Sequence, residues 1–331
     1  MFVKREISPS IIFHFSWRTI LFSAILSTIV FVLFEYYNCR SVAIPFLPVA
    51  TIGTAVAFYV GFKNNSSYDR LWEGRKVWGE IVNTSRSITA YLLAVIRQKD
   101  DPIINDTIKG FVYRQIACVN MIRIYLRRRN IWDKNHLYTQ LASRCFPCKS
   151  FEQDAQDTLR ELCPNEAEKL LTKENIAKEL VSNQMQTLTW LKTKNVIDDY
   201  EHSDLMRLCN DMFNHQGKAE RLKSFPFPRQ YAYFSEVFVA IFICLLPFGM
   251  IGEFAKLNES LVWLTIPFSV LISWIFDTME KIGDTSENPF ENGIHDVPMT
   301  AICRTVEINL RELLDEEHLP EPVEAVDHVL M

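Results

Sequence analysis

The sequence predicts an all-α membrane protein with four transmembrane helices and a large polar helical region. Three observations support this fold class. Long apolar stretches lie towards both ends of the 331-residue chain, basic residues flank them, and the charged segment between them has no sustained alternation of apolar and polar residues. With 48% hydrophobic and 23% charged residues, the chain can bury a sizeable core and is not a disordered protein.

The four predicted spans cover residues 19–33, 42–62, 233–251 and 261–276. A helix rises about 1.5 Å per residue, so roughly 20 mainly apolar residues cross roughly 30 Å of hydrocarbon. Aromatic residues that favour the headgroup layer lie near the proposed ends: Trp17, Tyr36, Tyr37, Tyr231, Tyr233, Trp263 and Trp274. The alternative, a set of buried core helices, is disfavoured by these lengths.

Basic residues predict the orientation of the spans. They lie before the first span, after the second, before the third and after the fourth: Lys4, Arg5, Arg18, Lys63, Arg70, Arg75, Lys76, Arg229 and Lys281. The positive-inside rule then places both termini and the middle of the chain in the cytoplasm of a multi-pass protein of the cell membrane. We therefore divide the chain into spans one and two (1–62), a cytosolic helical region (63–228), spans three and four (229–281) and a cytosolic tail (282–331).

The middle region predicts amphipathic helices. Its apolar residues recur at helical spacing in two stripes: Ile108, Phe111, Val112, Val119 and Ile122, then Ile176, Leu180, Val181, Leu188 and Leu191. We expect both stripes to be buried. Prolines at positions 102, 147, 164, 226 and 228 predict the breaks between the helices.

Composition and motifs exclude several functions. The formal net charge is -5, from 35 Lys and Arg against 40 Asp and Glu, so no basic excess indicates a nucleic-acid partner. The sequence has no Gly-x-Gly-x-x-Gly or Gly-Lys-Ser/Thr phosphate loop and no Gly-x-Ser-x-Gly elbow. We expect neither an enzyme nor a cofactor.

One Cys-x-x-Cys pair, Cys145 and Cys148, raises the question of a metal site. A structural zinc site needs four ligands, and the nearby Cys163 and His136 lack the usual motif spacing. We interpret the two residues as an incidental pair of reduced thiols and predict no metal site.

Two charged features leave alternatives open. Arg127, Arg128 and Arg129 could form a patch for an anion or a lipid headgroup, but cations also favour a helix C-terminus because of its dipole, which is the simpler interpretation. Glu236 lies near the start of the third span, where a carboxylate indicates function unless water or Arg229 reaches it. We favour that second explanation for Glu236.

The second span differs from a lipid-facing helix. Prolines and glycines interrupt it, and Thr54, Phe58 and Phe62 recur every four residues along one face. This spacing is typical of ordinary helix packing, and it would also suit the hydrophobic constriction of a channel. The polar run at 63–67 follows at once, so we expect the span to lead into a wet vestibule.

Four stretches of the chain are recognisable in order. They are GFKNNSSYDRLWEGRKVWG at 61–79, GKAER at 217–221 followed by Pro226 and Pro228, LLPFG at 245–249, and ENPF at 287–290 followed by DVP at 296–298. In these stretches the chain resembles the prokaryotic members of the bestrophin family. The part that diverges from the family lies between residues 101 and 195.

The resemblance implies a homopentamer in the lipid bilayer, with five copies of the second span around one pore for inorganic ions. A single helix cannot enclose a pore, which agrees with a closed cyclic oligomer. In the family, three hydrophobic rings on this helix form a narrow neck, and the match places them at Thr54, Phe58 and Phe62. Thr54 departs from the usual apolar residue of the outermost ring.

The leading hypothesis is a channel that prefers anions, with chloride as the permeant ion, and a cation-selective channel is the alternative. Animal and plant bestrophins resemble anion channels, whereas some bacterial members resemble cation channels. The positive edges of the Phe58 and Phe62 rings favour an anion such as chloride, while an acidic vestibule would oppose it. A membrane scaffold that conducts no ions is the remaining alternative.

The resemblance also implies structural roles for residues outside the neck: Asp69, Arg70, Trp72, Glu220, Arg221, Asn288, Pro289, Phe290 and Asp296. Some family members clasp calcium after Asn-Pro-Phe, but residues 291–296 offer few carboxylates for a cage of roughly six to eight oxygens. We therefore expect no calcium clasp. A second constriction of the family, near the cytosolic exit, falls between residues 197 and 206.

Overall fold

The computed structural model describes residues 1–4, 9–96, 101–128 and 150–331. The α-helices in this part of the chain are α1 (Pro9–Glu35), α2 (Phe46–Val95), α3 (Pro102–Leu126), α4 (Phe151–Leu162), α5 (Ala167–Leu171), α6 (Ile176–Thr193), α7 (Asp199–Ser224), α8 (Arg229–Leu257), α9 (Thr265–Ser286) and α10 (Met299–Glu312). Short 3₁₀ helices at Arg40–Val42 and Glu259–Leu264 precede α2 and α9. The predicted all-α class is confirmed.

Four helical segments are long and apolar enough to cross a membrane: Phe15–Glu35, Arg40–Val95, Arg229–Leu257 and Glu259–Ser286. The prediction of four spans is therefore confirmed. The second segment is longer than the sequence predicted, because α2 continues without a break through residues 63–67 to Val95. Pro48 lies in the first turn of α2, where the helix needs no N–H donor.

Helix boundaries follow local signals. Pro102 is the first residue of α3, and the side chain of Asp101 caps that helix by accepting from the N–H of Ile103 at 2.8 Å. The α7 helix begins at a capping box in which Asp198 and Glu201 accept from each other's backbone N–H groups. Prolines 226 and 228 separate α7 from α8, as predicted.

One compact unit, which we name the span unit, contains residues 4–70 and 227–287. Within it, α9 packs against α1 and α8, and α8 also packs against α1. The hydroxyl of Ser23 on α1 donates to that of Ser273 on α9 at 3.0 Å, and both residues are buried. Small polar residues thus allow close approach of these membrane helices.

The second compact unit, which we name the helical body, contains residues 1–3, 71–226 and 288–331. Both predicted apolar stripes are buried in its core, as expected. A buried polar chain crosses this core: Gln184 donates to Gln115 at 3.0 Å, and Gln115 donates to Ser85 at 2.8 Å. These side chains join α6, α3 and α2 through the buried core.

Candidate functional site

Helix α2 has two contrasting faces within the span unit. Val56 and Val60 are buried at 4% and 0% exposure on one face, whereas Phe58 and Phe62 are 65% and 71% exposed on the other. Thr54 is also exposed, and its hydroxyl donates to the carbonyl of Ala50 at 2.9 Å. Eight residues separate Thr54 from Phe62, so the three side chains extend over about 12 Å of the helix axis.

The two phenylalanine side chains line an apolar groove of about 780 Å³ in the span unit. Helix α2 contributes small residues to the groove as well, among them Ala57 and Gly61. Behind them, Phe242 of α8 and Phe276 of α9 complete the wall. The groove offers no ionisable side chain among its lining residues, so its surface is uncharged, and Thr54 and Asn65 are its polar members.

Close packing fixes the buried face of α2. A Cβ atom on Gly53 would lie 2.6 Å from the ring of Phe242, and that ring is held against Phe276 with centroids 4.5 Å apart. A Cβ atom on Gly249 would lie 3.0 Å from Val49. Because glycine has no Cβ, α2 and α8 can approach to this distance.

The polar run after the groove lies partly in the interior, and the expectation that the span leads into a wet vestibule stays a prediction. Lys63 and Ser67 are buried at 1% and 0% exposure, while Asn65 and Ser66 are exposed. The side-chain amide of Asn64 donates to the carbonyl of Met279 on α9 at 3.0 Å. Two side chains of the run, those of Lys63 and Asn64, find partners on α9.

Lys63 belongs to a buried network that joins three spans. Its Nζ atom lies 2.5 Å from Oε1 of Glu280 on α9 and 4.0 Å from Oδ1 of Asp284. The hydroxyl of Ser235 on α8 donates to the second carboxylate oxygen of Glu280, also at 2.5 Å. A charge in a membrane span is costly unless it is paired, and here each charge has a partner.

Residue patterns alone did not indicate this network. Glu236 is exposed, in agreement with the favoured interpretation that water reaches its carboxylate, whereas Glu280 is a buried carboxylate. A signal was present, because Lys63 and Glu280 are opposite charges that each adjoin an apolar stretch. Their pairing needed the fold, since 217 positions separate them in the chain.

Two residues of the first matched stretch, Asp69 and Arg70, lie at the end of residues 4–70, the first segment of the span unit. Arg70 donates from Nε to the carbonyl of Glu287 at 2.8 Å, which joins α2 to the end of α9. Asp69 is exposed on α2. In the helical body, Trp72 is 51% exposed.

Glu220 and Arg221 of the second matched stretch lie on α7 in the helical body. The carboxylate of Glu220 accepts from Asn175 at 3.2 Å and from Gln216 at 2.7 Å, and Asn175 caps the start of α6. Arg221 is exposed. Glu220 therefore ties α7 to the N-terminus of α6.

The Asn-Pro-Phe motif forms a tight loop held by Asp296. Its carboxylate accepts from the backbone N–H groups of Phe290, Asn292 and Val297 at 2.9, 3.0 and 2.6 Å. Burial raises the pKa of Asp296 above its ordinary value, although the three N–H groups favour the charged form. Phe290 and Asn292 have φ values of 77° and 67°, so the carboxylate holds a backbone that L-residues rarely adopt.

The other two residues of this motif, Asn288 and Pro289, belong to the same loop. Asn288 is half-buried and Pro289 is buried. A Cβ atom on Gly74 would lie 3.1 Å from the ring of Phe290 and 3.2 Å from Pro289. The loop therefore packs directly on the α2 backbone at a glycine.

Replacing Asp296 with alanine should lower the free energy of unfolding by about 3 kcal/mol, because three N–H groups lose a charged acceptor. Thermal unfolding of the purified protein in detergent measures the change. Asp106→Ala removes an exposed carboxylate from α3 and should alter stability by less than about 0.5 kcal/mol. Equal effects of the two substitutions would contradict the role of Asp296.

Within the described residues, no group of three or more His, Cys, Asp or Glu side chains could hold a metal ion. Cys145, Cys148, His136 and Arg129 lie outside these residues. Cys163 is buried, and desolvation raises the pKa of its thiol to about 12, so it stays protonated. In the region expected to hold the exit constriction, Ile197 is buried and Tyr200 is 86% exposed.

The four spans define a multi-pass membrane protein of helical type. Residues 2–312 match the family model described as "Bacterial/Fungal Bestrophin protein". The chain belongs to this bacterial and fungal bestrophin family, which confirms the predicted membership and the prediction that the protein is not an enzyme.

Individual relatives are similar over most of the chain. The voltage-dependent anion channel-forming protein YneE of Salmonella typhi is 26% identical over 301 residues, which cover 91% of this chain and 87% of that protein. The voltage-dependent anion channel-forming protein RSc3414 of Ralstonia nicotianae is 27% identical over 286 residues, with 86% and 82% covered.

Solved structures have the same fold. A bacterial bestrophin homologue from Klebsiella pneumoniae superposes with a TM-score of 0.75 at 21% identity, covering 91% of this chain and 99% of that one. At this identity the likeness establishes the fold of the chain.

Proposed function

We propose that this protein is a pentameric anion channel in which five copies of α2 surround one axial pore. The chain is similar to relatives named as voltage-dependent anion channel-forming proteins, and this similarity supports the proposal that the permeant ions are anions. The single observation that carries the proposal is the exposed face of α2, where Thr54, Phe58 and Phe62 lie in line.

The exposed face of α2 is unlike a surface made for lipid. The exposed residues of α1 include Leu21, Phe22, Ile25 and Ile29, which suit contact with lipid tails. On α2 the exposed residues of the span are mixed instead, with apolar Leu47, Ile52, Phe58 and Phe62 beside polar Thr51 and Thr54. Exposed polar side chains in a span are accepted where they line a water-filled space, which supports a pore-lining role for α2.

A closed ring of subunits gives this face its function. One α2 helix cannot surround a pore, whereas five related by a rotation axis can. In such a ring the phenyl groups of Phe58 and Phe62 form two successive apolar collars, and Thr54 forms a wider and more polar one. Hydrophobic constrictions of this kind gate channels by dewetting.

Phenyl edges supply the preference for anions. A ring edge carries partial positive charge, so edges directed towards the axis stabilise a passing chloride ion. Lys63 adds little to this field, because Glu280 neutralises it at 2.5 Å. Asp69, exposed on the same helix, favours the second candidate, a cation channel.

The proposed topology follows from the basic residues around the spans. Both termini, residues 63–228 and residues 282–331 lie in the cytoplasm, and residues 1–62 and 229–281 provide the membrane helices. The partners are four further copies of the chain, the lipid bilayer and the permeant inorganic ions. No nucleic acid takes part.

The reversal potential of the purified protein in a planar bilayer tests the proposal. Under a gradient of potassium chloride, we expect the current to reverse near the chloride equilibrium potential. Reversal near the potassium potential would identify a cation channel instead. An intact pentamer that carries no current, measured by mass and by ion flux in liposomes, would identify a scaffold.

A further inference from the structure

We propose that the buried Lys63–Glu280 ion pair is a positioning device that fixes the rotation of α2 and so keeps Phe62 on the exposed face of that helix. The inference rests on the proposed function only in the use it assigns to Phe62, since the orientation can be measured without any ion current. Lys63 and Glu280 are thus positioning residues for the neck.

Phe62 and Lys63 are consecutive residues of α2. Successive residues of an α-helix point about 100° apart, so the direction of one side chain fixes that of its neighbour. The side chain of Lys63 is fully buried, whereas Phe62 is 71% exposed. A rotation of α2 large enough to bury Phe62 would have to break the contact of Lys63 with Glu280.

The network around Lys63 joins three helices, α2, α8 and α9. Glu280 uses one carboxylate oxygen for Lys63 on α2 and the other for the hydroxyl of Ser235 on α8. Asp284 lies one turn further along α9, at 4.0 Å from the Lys63 ammonium. The lysine is therefore held directly by α9 and is linked to α8 through Glu280.

The next residue of α2 supplies an independent anchor. Asn64 donates to the carbonyl of Met279, the residue before Glu280. A Cβ atom on Gly283 would collide with Oδ1 of Asn64, so the glycine creates the space for that amide. Two adjacent residues of α2 thus bind one short stretch of α9.

The energetics favour orientation over stability as the purpose of the pair. Burying two charges is costly, and apolar residues of similar volume often replace a buried ion pair without loss of stability. A polar contact inside an apolar interface, in contrast, admits few alternative registers, because any other arrangement leaves a buried charge unpaired. The ion pair therefore adds orientational specificity to the apolar packing that already holds α2 against α8.

The test uses the full-length protein in liposomes with the substitution Phe62→Cys as a reporter. A charged, membrane-impermeant methanethiosulfonate reagent should modify this thiol quickly, and the protein without the reporter corrects for the exposed native Cys39 and Cys244. Adding Lys63→Met with Glu280→Met should lower the modification rate about tenfold. The charge exchange Lys63→Glu with Glu280→Lys should restore most of it.

The matched control replaces an ion pair within one helix, Glu253→Gln with Lys256→Met on α8, and should leave the rate unchanged. An unchanged rate in the apolar double variant, with normal elution and thermal unfolding, would overturn the proposal. If that variant does not fold, Ser235→Ala provides the test, because it removes only one donor to Glu280. This substitution should lower the modification rate two- to threefold, and an unchanged rate would overturn the proposal. Absence of current in the unsubstituted channel would contradict the proposed function and leave this measurement intact.

Discussion

Replacing both Phe58 and Phe62 with alanine should raise the single-channel conductance by roughly threefold to tenfold, equivalent to about 0.7–1.4 kcal/mol of barrier height. The two rings are exposed on α2 and form the proposed apolar collars. Their removal leaves small side chains at both positions, so water fills the constriction more easily. Single-channel recordings in a planar bilayer measure the change, and the pentamer should remain intact.

The control for this experiment removes the same ring from exposed positions on other spans. Phe22 on α1 and Phe268 on α9 are 50% and 43% exposed. The double variant Phe22→Ala with Phe268→Ala should conduct as the unsubstituted protein does. A current that is unaffected by the loss of Phe58 and Phe62 would remove the neck from these positions.

A large loss of stability is expected for Gly53→Leu. Its Cβ atom alone would lie 2.6 Å from the buried ring of Phe242, which Phe276 prevents from moving aside. We expect overpacking to lower the free energy of unfolding by about 3 kcal/mol and to separate α2 from α8. Thermal unfolding in detergent and the elution profile of the oligomer report this loss.

Gly61→Leu provides the comparison on the same helix. No atom lies within 4 Å of a Cβ atom at Gly61, so the larger side chain meets open space. Stability should be unchanged or slightly higher, because leucine favours the helix by about 1 kcal/mol over glycine. Since Gly61 lines the groove, conductance should nevertheless fall. Similar unfolding temperatures for the two variants would contradict the packing described for Gly53.

The fold was predictable where its signals are local. The stripe from Ile176 to Leu191 repeats at helical spacing, and every member is buried in the structure. Apolar length predicted the four spans in the same way, and Pro226 and Pro228 predicted the break before α8. Each of these signals lies within a few turns of the chain, where neighbours alone determine the pattern.

The candidate site was predictable only in part. The spacing of Thr54, Phe58 and Phe62 placed them on one helix face, but the same spacing also fits ordinary packing, and only the exposure of the rings in the span unit separates the two interpretations. Glu236 drew attention as the membrane carboxylate because composition does not tell which side of a helix faces inward. Neither the buried state of Glu280 nor its bond to Ser235 could be read from the residues around it.

The sequence by itself determined the all-helical class, the number of spans and the family, because apolar length, helical periodicity and matched motifs are properties of short stretches. Only the tertiary structure decided that α2 continues through the polar residues 63–67, because Lys63 is acceptable in the protein interior, directly after the second predicted span, when Glu280, 217 positions away, neutralises it. Pairing of distant charges depends on how helices pack against each other, and that geometry has no signature in either segment alone.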